Sequence, residues 1–317
     1  MAALLFHTSV PRPQHARPRP LSIFALALHS PAHLLAMALR FSANLSWLFP
    51  ELPALPARLE AAARAGFEAV EAAWPEGCPA PALHAAAERA GLRVVLLNTP
   101  PGDKERGEMG LGAVPGRQDA FRQGLAAAVQ YARAVGCPRI HLMAGRVPQG
   151  AERAAVAGEM EATFIENLRH AADVLAQEDM VGLVEPINSR ITDPRYFLNT
   201  PHQAAAILEK VGRPNLRLQL DLFHCQIMDG NLSRNLESYL PLIGHIQIAQ
   251  VPGRHEPDSP GELNFPYIFK LLESLGYTGY VGCEYAPKGD TIEGLGWLRS
   301  YWESKGMKPG GPRKATE

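Results

Sequence analysis

A helix rich in alanine and leucine, a glycine and a short apolar run follow one another five times along this chain. The glycines at these junctions are Gly66, Gly91, Gly136, Gly212 and Gly276. Glycine just beyond a helix supplies the left-handed conformation that ends it, and a short run rich in valine, isoleucine and leucine is typical of a strand covered on both faces. The repeat therefore predicts an α/β architecture in which helices alternate with parallel strands.

Three further apolar runs bring the number of predicted strands to eight. The predicted strands are Arg40–Asn44, Phe67–Ala72, Leu92–Asn98, Arg139–Met143, Val181–Glu185, Leu216–Asp221, His245–Ile248 and Tyr280–Glu284. Every interval has room for a crossover helix, and residues 37–305 come close to the roughly 250 residues typical of a (β/α)8 barrel. A doubly wound open sheet would need a glycine-rich phosphate turn after its first strand, but Leu45–Pro50 contains no glycine. We therefore predict a single (β/α)8 TIM barrel.

The first 36 residues differ in composition from the rest of the chain. They contain five prolines and no acidic residue, and the first acidic residue of the chain is Glu51. Such a leader resembles a mitochondrial transit peptide, but its prolines disfavour the amphipathic helix that these peptides form. We predict a disordered extension over residues 1–36, upstream of a second candidate start at Met37, a barrel domain over 37–305 and a disordered tail over 306–317. The expected compartment is the cytoplasm, with mitochondrial import as the alternative.

Charge, hydropathy and cysteine spacing argue against nucleic-acid binding, a membrane anchor, disulfides and a zinc site. The formal net charge is -1 and no stripe of lysine or arginine is present, which disfavours nucleic acid. The apolar stretch Leu21–Leu28 is too short to span a bilayer, so no membrane anchor is expected. The four cysteines show no CxxC spacing, which favours reduced, packed thiols over disulfides or a zinc site. The expected partner is a small-molecule substrate, and the sequence leaves open a homo-oligomer.

Carboxylates stand at the ends of three of the last four predicted strands, and an amide lies near the end of the fourth. They are Glu185, Asp221 and Glu284, with Gln247. The carboxyl ends of barrel strands share one face, so these side chains should converge. A lone acidic residue at a strand end is often only a helix cap, but four oxygen donors together indicate a shared site. This donor set favours Mg²⁺ or Mn²⁺ over Zn²⁺, so we predict that Glu185, Asp221, Gln247 and Glu284 hold a divalent cation.

Four other residues are candidates for binding substrate. His224 follows Asp221 by three residues, and Arg254 lies in the polar loop beyond Gln247. We interpret His224 as a contact of the substrate or of the metal ligands rather than a metal ligand itself. We interpret Arg254 as a partner for a substrate carboxylate, with a solvated surface arginine as the alternative. His141 and Asn98 also end predicted strands, and each has a structural alternative. Glu71 ends a strand as well, and we interpret it as a structural residue of the barrel interior.

Eight short segments, which include the candidate site residues, resemble the hydroxypyruvate isomerase family. The resemblance spans about residues 37–305 and includes the less common Gln247. The matching segments are Arg40–Ser46, Asn98–Asp103, His141–Gly145, Glu185–Asn188, Asp221–His224, His245–Ala249, Pro252–Pro257 and Gly282–Tyr285. The leader over residues 1–36 has no counterpart in the resemblance.

The resemblance implies a xylose-isomerase-like barrel that interconverts hydroxypyruvate and 2-hydroxy-3-oxopropanoate (tartronate semialdehyde). It also implies that Glu185 and Glu284 are the proton donor and acceptor, and that Asp221 and Gln247 join them around a divalent ion. This chemistry agrees with the residues themselves. A carbonyl moves between adjacent carbons through an enediolate, which needs carboxylates to transfer the proton and positive charge near its oxygens.

Three other functions remain as alternatives. A ketose 3-epimerase resembles this chain in fold, but it usually has histidine where this chain has Gln247. An endonuclease-IV-like DNA repair enzyme would need a cluster of zinc ions and more histidines at the strand ends, whereas Asn98 and Gln247 occupy two such places here. A barrel that only binds its ligand is the third alternative, because a fold does not by itself establish catalysis.

Overall fold

A computed structural model describes residues 38–307, in which eight parallel strands close into a barrel in chain order and β1 pairs with β8. The strands are β1 Arg40–Asn44, β2 Ala69–Ala72, β3 Arg93–Asn98, β4 Arg139–His141, β5 Val181–Val184, β6 Leu216–Asp221, β7 Ile243–Ile248 and β8 Tyr280–Cys283. The predicted (β/α)8 barrel is confirmed. All eight strands lie within two residues of their predicted starts and ends.

Helices cover the outside of the barrel and connect its strands. They are α1 Leu55–Arg64, α2 Ala80–Ala90, α3 Gln118–Val135, α4 Arg153–Ala176, α5 Pro201–Val211, α6 Leu222–Met228, α7 Leu232–Tyr239, α8 Phe265–Ser274, α9 Thr291–Gly294 and α10 Gly296–Ser304, with a 3₁₀ turn at Leu240–Leu242. Gly91, Gly136 and Gly212 end α2, α3 and α5 at φ values of 65, 68 and 66°. These left-handed caps confirm the glycine signal in the sequence.

Several observed strand bounds differ from the predicted ones by one or two residues. The predicted strand at Phe67 begins only at Ala69, because the backbone N–H of Phe67 still donates to Ala62 at the end of α1. β5 ends one residue before Glu185, and β8 ends one residue before Glu284. Both glutamates therefore leave the sheet at the mouth of the barrel.

A polar layer fills the barrel interior below the strand ends, centred on the fully buried Glu71. The Glu71 carboxylate accepts hydrogen bonds from the side chains of Ser42 (2.6 Å), Asn44 (3.1 Å), His245 (2.8 Å) and Gln247 (2.8 Å). Burial alone would raise the pKa of Glu71, but His245 and the other donors hold it below its ordinary value. A Cβ at Gly282 on β8 would approach both Glu71 carboxylate oxygens to 2.4 Å, so a side chain at this position would displace the Glu71 carboxylate from its hydrogen bonds.

Aromatic side chains from two helices close the barrel where its first and last strands meet. Phe41 on β1 packs edge-on against Phe269, Trp297 and Tyr301, so α8 and α10 cover the seam where the first and last strands meet. Of the helices in residues 38–307, none is long and apolar enough to cross a bilayer. All four cysteines are free, and three of them are buried. The extension predicted for residues 1–36 and residues 308–317 of the predicted tail lie outside the described residues.

Candidate active site at the carboxyl ends of the strands

Four side chains from three strand ends meet at the mouth of the barrel. Each of Glu185, Asp221, His224 and Glu284 offers an atom able to bind a metal, and these atoms all lie within 4.8 Å of one another. Glu185 follows β5, Asp221 ends β6, His224 lies on the first turn of α6, and Glu284 follows β8. The three predicted carboxylates therefore come together, as the shared face of a parallel barrel requires.

Glu185 has almost no hydrogen-bonding partner in this site. Its side chain is only 6% exposed. His141 Nδ1 lies 3.3 Å from one carboxylate oxygen and His224 Nε2 lies 3.9 Å from the other. Burial, followed by the nearby charges of Glu284 and Asp221, raises the pKa of Glu185 well above its ordinary value. Such an environment favours a carboxyl group that keeps its proton.

Glu284 lies in a more polar environment than Glu185. One of its oxygens accepts a hydrogen bond from Asn44 Nδ2 at 3.0 Å, and the other accepts from Arg254 Nη2 at 2.7 Å. Burial raises the pKa of Glu284 to about 8, although Arg254 opposes the shift. Asn44 also donates to Glu71, so the interior polar layer is connected to Glu284. These two donors therefore offset only part of the effect of burial on the pKa of Glu284.

Asp221 holds the start of α6 and faces the site at the same time. One of its oxygens accepts the backbone N–H of Phe223 at 2.8 Å, which caps the helix. The other oxygen lies 3.4 Å from both His224 Nε2 and Arg254 Nη2. Burial raises the pKa of Asp221, and the Arg254 charge and the capping N–H lower it in part. The capping role expected of a lone aspartate and a role in the site are therefore compatible here.

Arg254 extends over the site from the loop that follows β7. Its backbone is in the left-handed region at φ 54°, which is costly for a side chain larger than glycine. The loop holds this conformation through hydrogen bonds from Arg254 N to Gln250 O (2.7 Å) and from Ala286 N to Arg254 O (2.8 Å). The guanidinium lies 4.5 Å from the ring centroid of Trp47 and 4.8 Å from that of Phe223. A strained backbone that aims a stacked cation at carboxylates is typical of a functional position.

His141 and Asn98 lie side by side at the ends of β4 and β3. His141 is buried, and among the described residues neither ring nitrogen makes a well-oriented hydrogen bond. Burial lowers the pKa of His141 to about 3, so this imidazole is neutral. Asn98 is half-buried and makes no side-chain hydrogen bond within residues 38–307. Both residues can therefore offer polar atoms to a ligand.

Gln247 lies in the interior polar layer. Its amide nitrogen donates to Glu71 at 2.8 Å, and its oxygen accepts from Gln219 Nε2 at 2.7 Å. Gln247 is also the neighbour of Asp221 in the pairing of β6 with β7. For its oxygen to bind a cation, the amide would have to leave Gln219. The predicted ligand role of Gln247 stays a prediction, and Glu71 has the structural role expected of it.

The carboxylates of this site are chemically suited to a divalent cation. Glu185, Asp221 and Glu284 all have raised pKa values because they are buried close to one another. Oxygen ligands of this kind are those that Mg²⁺ and Mn²⁺ prefer, and bound positive charge would relieve the mutual repulsion. The donor set therefore fits the metal predicted from the sequence.

The raised pKa values predict that stability falls with pH when cations are removed. In the unfolded chain Glu284 releases its proton near its ordinary pKa of 4.5, but in the folded protein it holds the proton up to about pH 8. Between these values the unfolded state binds fewer protons, so the free energy of unfolding decreases as pH rises. We expect the Tm in a chelator to be lower at pH 8 than at pH 6, and added Mn²⁺ to restore more of it at pH 8.

The control for this pH dependence is Glu284→Gln, which removes one titrating group. Its Tm should change less between pH 6 and pH 8 than that of the unmodified protein, by calorimetry in the same buffers. An identical pH response in both proteins would contradict the raised pKa of Glu284.

Four residues of the site were not predicted from the sequence. Asn44 ends β1, and strand-end position was a signal that could have found it. Asn188 lies in a segment that carried the family resemblance but had no assigned role. Trp47 and Phe223 contact Arg254 because the turn after β1, the start of α6 and the loop after β7 meet at the barrel mouth, and no local pattern indicates these contacts.

Known proteins resemble this chain over almost all of its barrel. The family model described as "Xylose isomerase-like TIM barrel" matches residues 59–301. A human protein named "Putative hydroxypyruvate isomerase" is 72% identical over 273 residues, which is 86% of this chain and 99% of that protein. A Haemophilus influenzae protein named "2-oxo-tetronate isomerase" is 45% identical over 262 residues, which is 83% of this chain and 99% of that protein.

A solved structure gives the same result for the fold. The crystal structure from Brucella melitensis, named as an AP endonuclease of family 2, has a TM-score of 0.78 and 45% identity, and the match covers 83% of this chain and 98% of that chain. The family model and the relatives together show that this chain belongs to the hydroxypyruvate isomerase family of xylose isomerase-like TIM barrels and is an enzyme of the isomerase class.

Proposed function

We propose that this enzyme interconverts hydroxypyruvate and 2-hydroxy-3-oxopropanoate, with Glu185 and Glu284 transferring the proton. The observation that carries the proposal is the meeting of these two glutamates with Asp221 and His224 in one buried group. Two carboxyl groups with raised pKa values, one of them next to a guanidinium, suit a reaction that needs an acid and a base together.

The reaction moves a carbonyl from C2 to C3 of a three-carbon acid. A base removes a proton from C3 of hydroxypyruvate, which gives an enediolate over C2 and C3. An acid then delivers a proton to C2, and the C3 hydroxyl proton is transferred to the oxygen on C2. The product, 2-hydroxy-3-oxopropanoate, has the same atoms as the substrate, so neither oxidant nor reductant is needed.

The surroundings of the two glutamates differ enough to give them different roles. Arg254 opposes the effect of burial on the pKa of Glu284, and a bound cation would favour the ionised form of this carboxyl group further, so we assign to Glu284 the removal of the C3 proton. Glu185 has only imidazole nitrogens near its oxygens, so we assign to it the delivery of the proton to C2, and its other carboxyl oxygen would be the one that binds the cation. In the reverse direction the two residues exchange roles, as microscopic reversibility requires.

Glu185, Asp221 and Glu284 would hold the divalent cation, with Gln247 joining them if its amide turns from Gln219. The bound cation would supply positive charge next to the oxygens that become negative in the enediolate. Mg²⁺ and Mn²⁺ are the proposed ions, since all of these protein donors are oxygens.

The remaining residues bind and orient the substrate. Arg254 Nη1 makes no hydrogen bond within the described residues, so it can pair with the substrate carboxylate while the guanidinium stays stacked on Trp47 and Phe223. His224 faces the same space from α6, and His141 and Asn98 border it from β4 and β3. We propose that these three residues contact the substrate oxygens.

A four-carbon 2-oxo acid is the second candidate substrate. Relatives that are 43–47% identical to this chain are named "2-oxo-tetronate isomerase". A substrate of this kind keeps the carboxylate and the C2 carbonyl and adds one carbon beyond C3. The same residues could bind both acids, so the two candidates differ in the length of the substrate.

Direct turnover assays discriminate these candidates. The enzyme is assayed with hydroxypyruvate, 2-oxo-tetronate, fructose and tagatose, each after chelation and again with added Mg²⁺ or Mn²⁺. We expect the highest kcat/KM with hydroxypyruvate, and a loss of activity on chelation that the added ion reverses. Higher kcat/KM with 2-oxo-tetronate would assign the longer acid, and turnover of the ketoses alone would contradict the proposal. Full activity without any bound divalent ion would contradict the metal role only.

A further inference from the structure

Asn188 is buried at the mouth of the barrel, three residues after Glu185, and all of its side-chain hydrogen-bonding groups have partners. Its oxygen accepts the backbone N–H groups of Ile191 (3.0 Å) and Thr192 (3.1 Å). Its nitrogen contacts Thr192 Oγ1 at 2.8 Å and His224 Nδ1 at 2.8 Å. A flipped amide would point its hydrogens at two backbone donors, so these contacts fix its orientation.

The orientation of Asn188 decides which nitrogen of His224 carries the proton. Since the amide nitrogen of Asn188 donates, Nδ1 of His224 must accept, and a neutral ring then has its proton on Nε2. A ring that accepts a hydrogen bond at Nδ1 cannot carry protons on both nitrogens, so the contact with Asn188 itself requires the neutral form. Nε2 points into the site, 3.4 Å from Asp221 and 3.9 Å from Glu185.

We propose that Asn188 is a positioning residue that fixes His224 as the Nε2–H tautomer, which makes His224 a hydrogen-bond donor to the substrate and keeps it out of the cation's ligand set. An Nε2 that carries a proton has no lone pair for a metal, although His224 lies within 4.8 Å of the carboxylates. The substrate oxygen on C2 gains negative charge as the C3 proton leaves, and a donor aimed at it stabilises that charge. This inference rests on the proposed function for the identity of that oxygen.

Asn188→Asp tests the inference with almost no change in shape. The new carboxylate can only accept from His224, so the ring proton should move to Nδ1 and the Nε2 lone pair should face the site. Long-range ¹H–¹⁵N NMR of the imidazole rings distinguishes the two neutral tautomers. We expect Nε2–H in the unmodified enzyme and Nδ1–H in the variant, with kcat about 10²-fold lower, as for the loss of one oxyanion donor.

Asn199→Asp is the matched control, since it makes the same chemical change in the same loop, where Asn199 bonds Ser189 rather than His224. It should keep the Nε2–H tautomer and near-normal kcat. An Nδ1–H signal in the unmodified enzyme would overturn the inference, even if Asn188→Asp fails to fold. An unchanged kcat in a folded Asn188→Asp enzyme would overturn the donor role.

The NMR result separates this inference from the proposed function. If the unmodified enzyme does not turn over hydroxypyruvate, the proposed function is wrong, but the ring spectra still decide whether Asn188 fixes the tautomer.

Discussion

Replacing Glu185 or Glu284 by glutamine is expected to lower kcat for hydroxypyruvate by about 10²- to 10⁴-fold, the range that a general acid or base contributes. Glutamine keeps the size and one oxygen of the side chain but can neither take nor deliver the proton. The effect should be on kcat more than on KM, because Arg254 and the neighbouring polar residues still bind the substrate. Steady-state kinetics with saturating Mg²⁺ measures both constants.

A control variant and the double variant test whether the loss of kcat is due to proton transfer by Glu185 and Glu284. Glu262→Gln changes an exposed glutamate whose side chain, within residues 38–307, hydrogen-bonds Gln226 outside the site, and it should leave both constants unchanged. The double variant should lose little more activity than the more damaged single variant, since residues that act as a unit are strongly non-additive. Near-normal kcat in either correctly folded single variant would contradict its role in proton transfer.

Arg254→Gln is expected to weaken substrate binding and to strengthen cation binding. Loss of a hydrogen bond between charged groups costs about 1.5–3 kcal/mol, so KM for hydroxypyruvate should rise about 10- to 100-fold. The same guanidinium contacts Glu284 at 2.7 Å and Asp221 at 3.4 Å, two of the proposed cation ligands. A dication therefore competes with it, and the variant should bind Mn²⁺ about tenfold more tightly in calorimetric titrations without substrate.

Weaker substrate binding together with tighter Mn²⁺ binding would show that Arg254 does more than support the fold. Arg254→Lys keeps the charge but loses the planar guanidinium. Its Mn²⁺ affinity should therefore be closer to that of the unmodified enzyme than its KM for hydroxypyruvate is. Arg106→Gln alters an arginine that is 75% exposed and pairs with Asp103, and it should change neither affinity. An unchanged KM in Arg254→Gln would contradict the carboxylate contact, and unchanged or weaker Mn²⁺ binding would contradict the competition.

The barrel was predictable because its signals are local and repeated. Each junction glycine ends a helix, and each apolar run between them is long enough for one strand of a buried parallel sheet. The convergence of Glu185, Asp221 and Glu284 was predictable too, since the carboxyl ends of all strands in such a barrel share one face. Topology alone brings these distant residues together.

Contacts that depend on side-chain orientation could not be predicted in the same way. Nothing near Gln247 in the sequence shows that its amide bonds Glu71 and Gln219, since these residues come from different strands. Nor does the sequence show that Arg254 stacks on Trp47 or that Asn188 faces His224. Such contacts arise from the packing of separate strands, helices and loops, which has no period or spacing to detect.

Hydrogen exchange at C3 of hydroxypyruvate in D₂O tests the roles of the two glutamates most directly. A variant that keeps the base can remove and return a C3 hydrogen without completing the isomerisation. We predict that Glu185→Gln incorporates deuterium at C3 faster than a protein-free control while forming almost no 2-hydroxy-3-oxopropanoate, and that Glu284→Gln does neither. Exchange in Glu284→Gln at the rate of the unmodified enzyme, or product formed by both variants at normal rates, would contradict proton transfer by this pair.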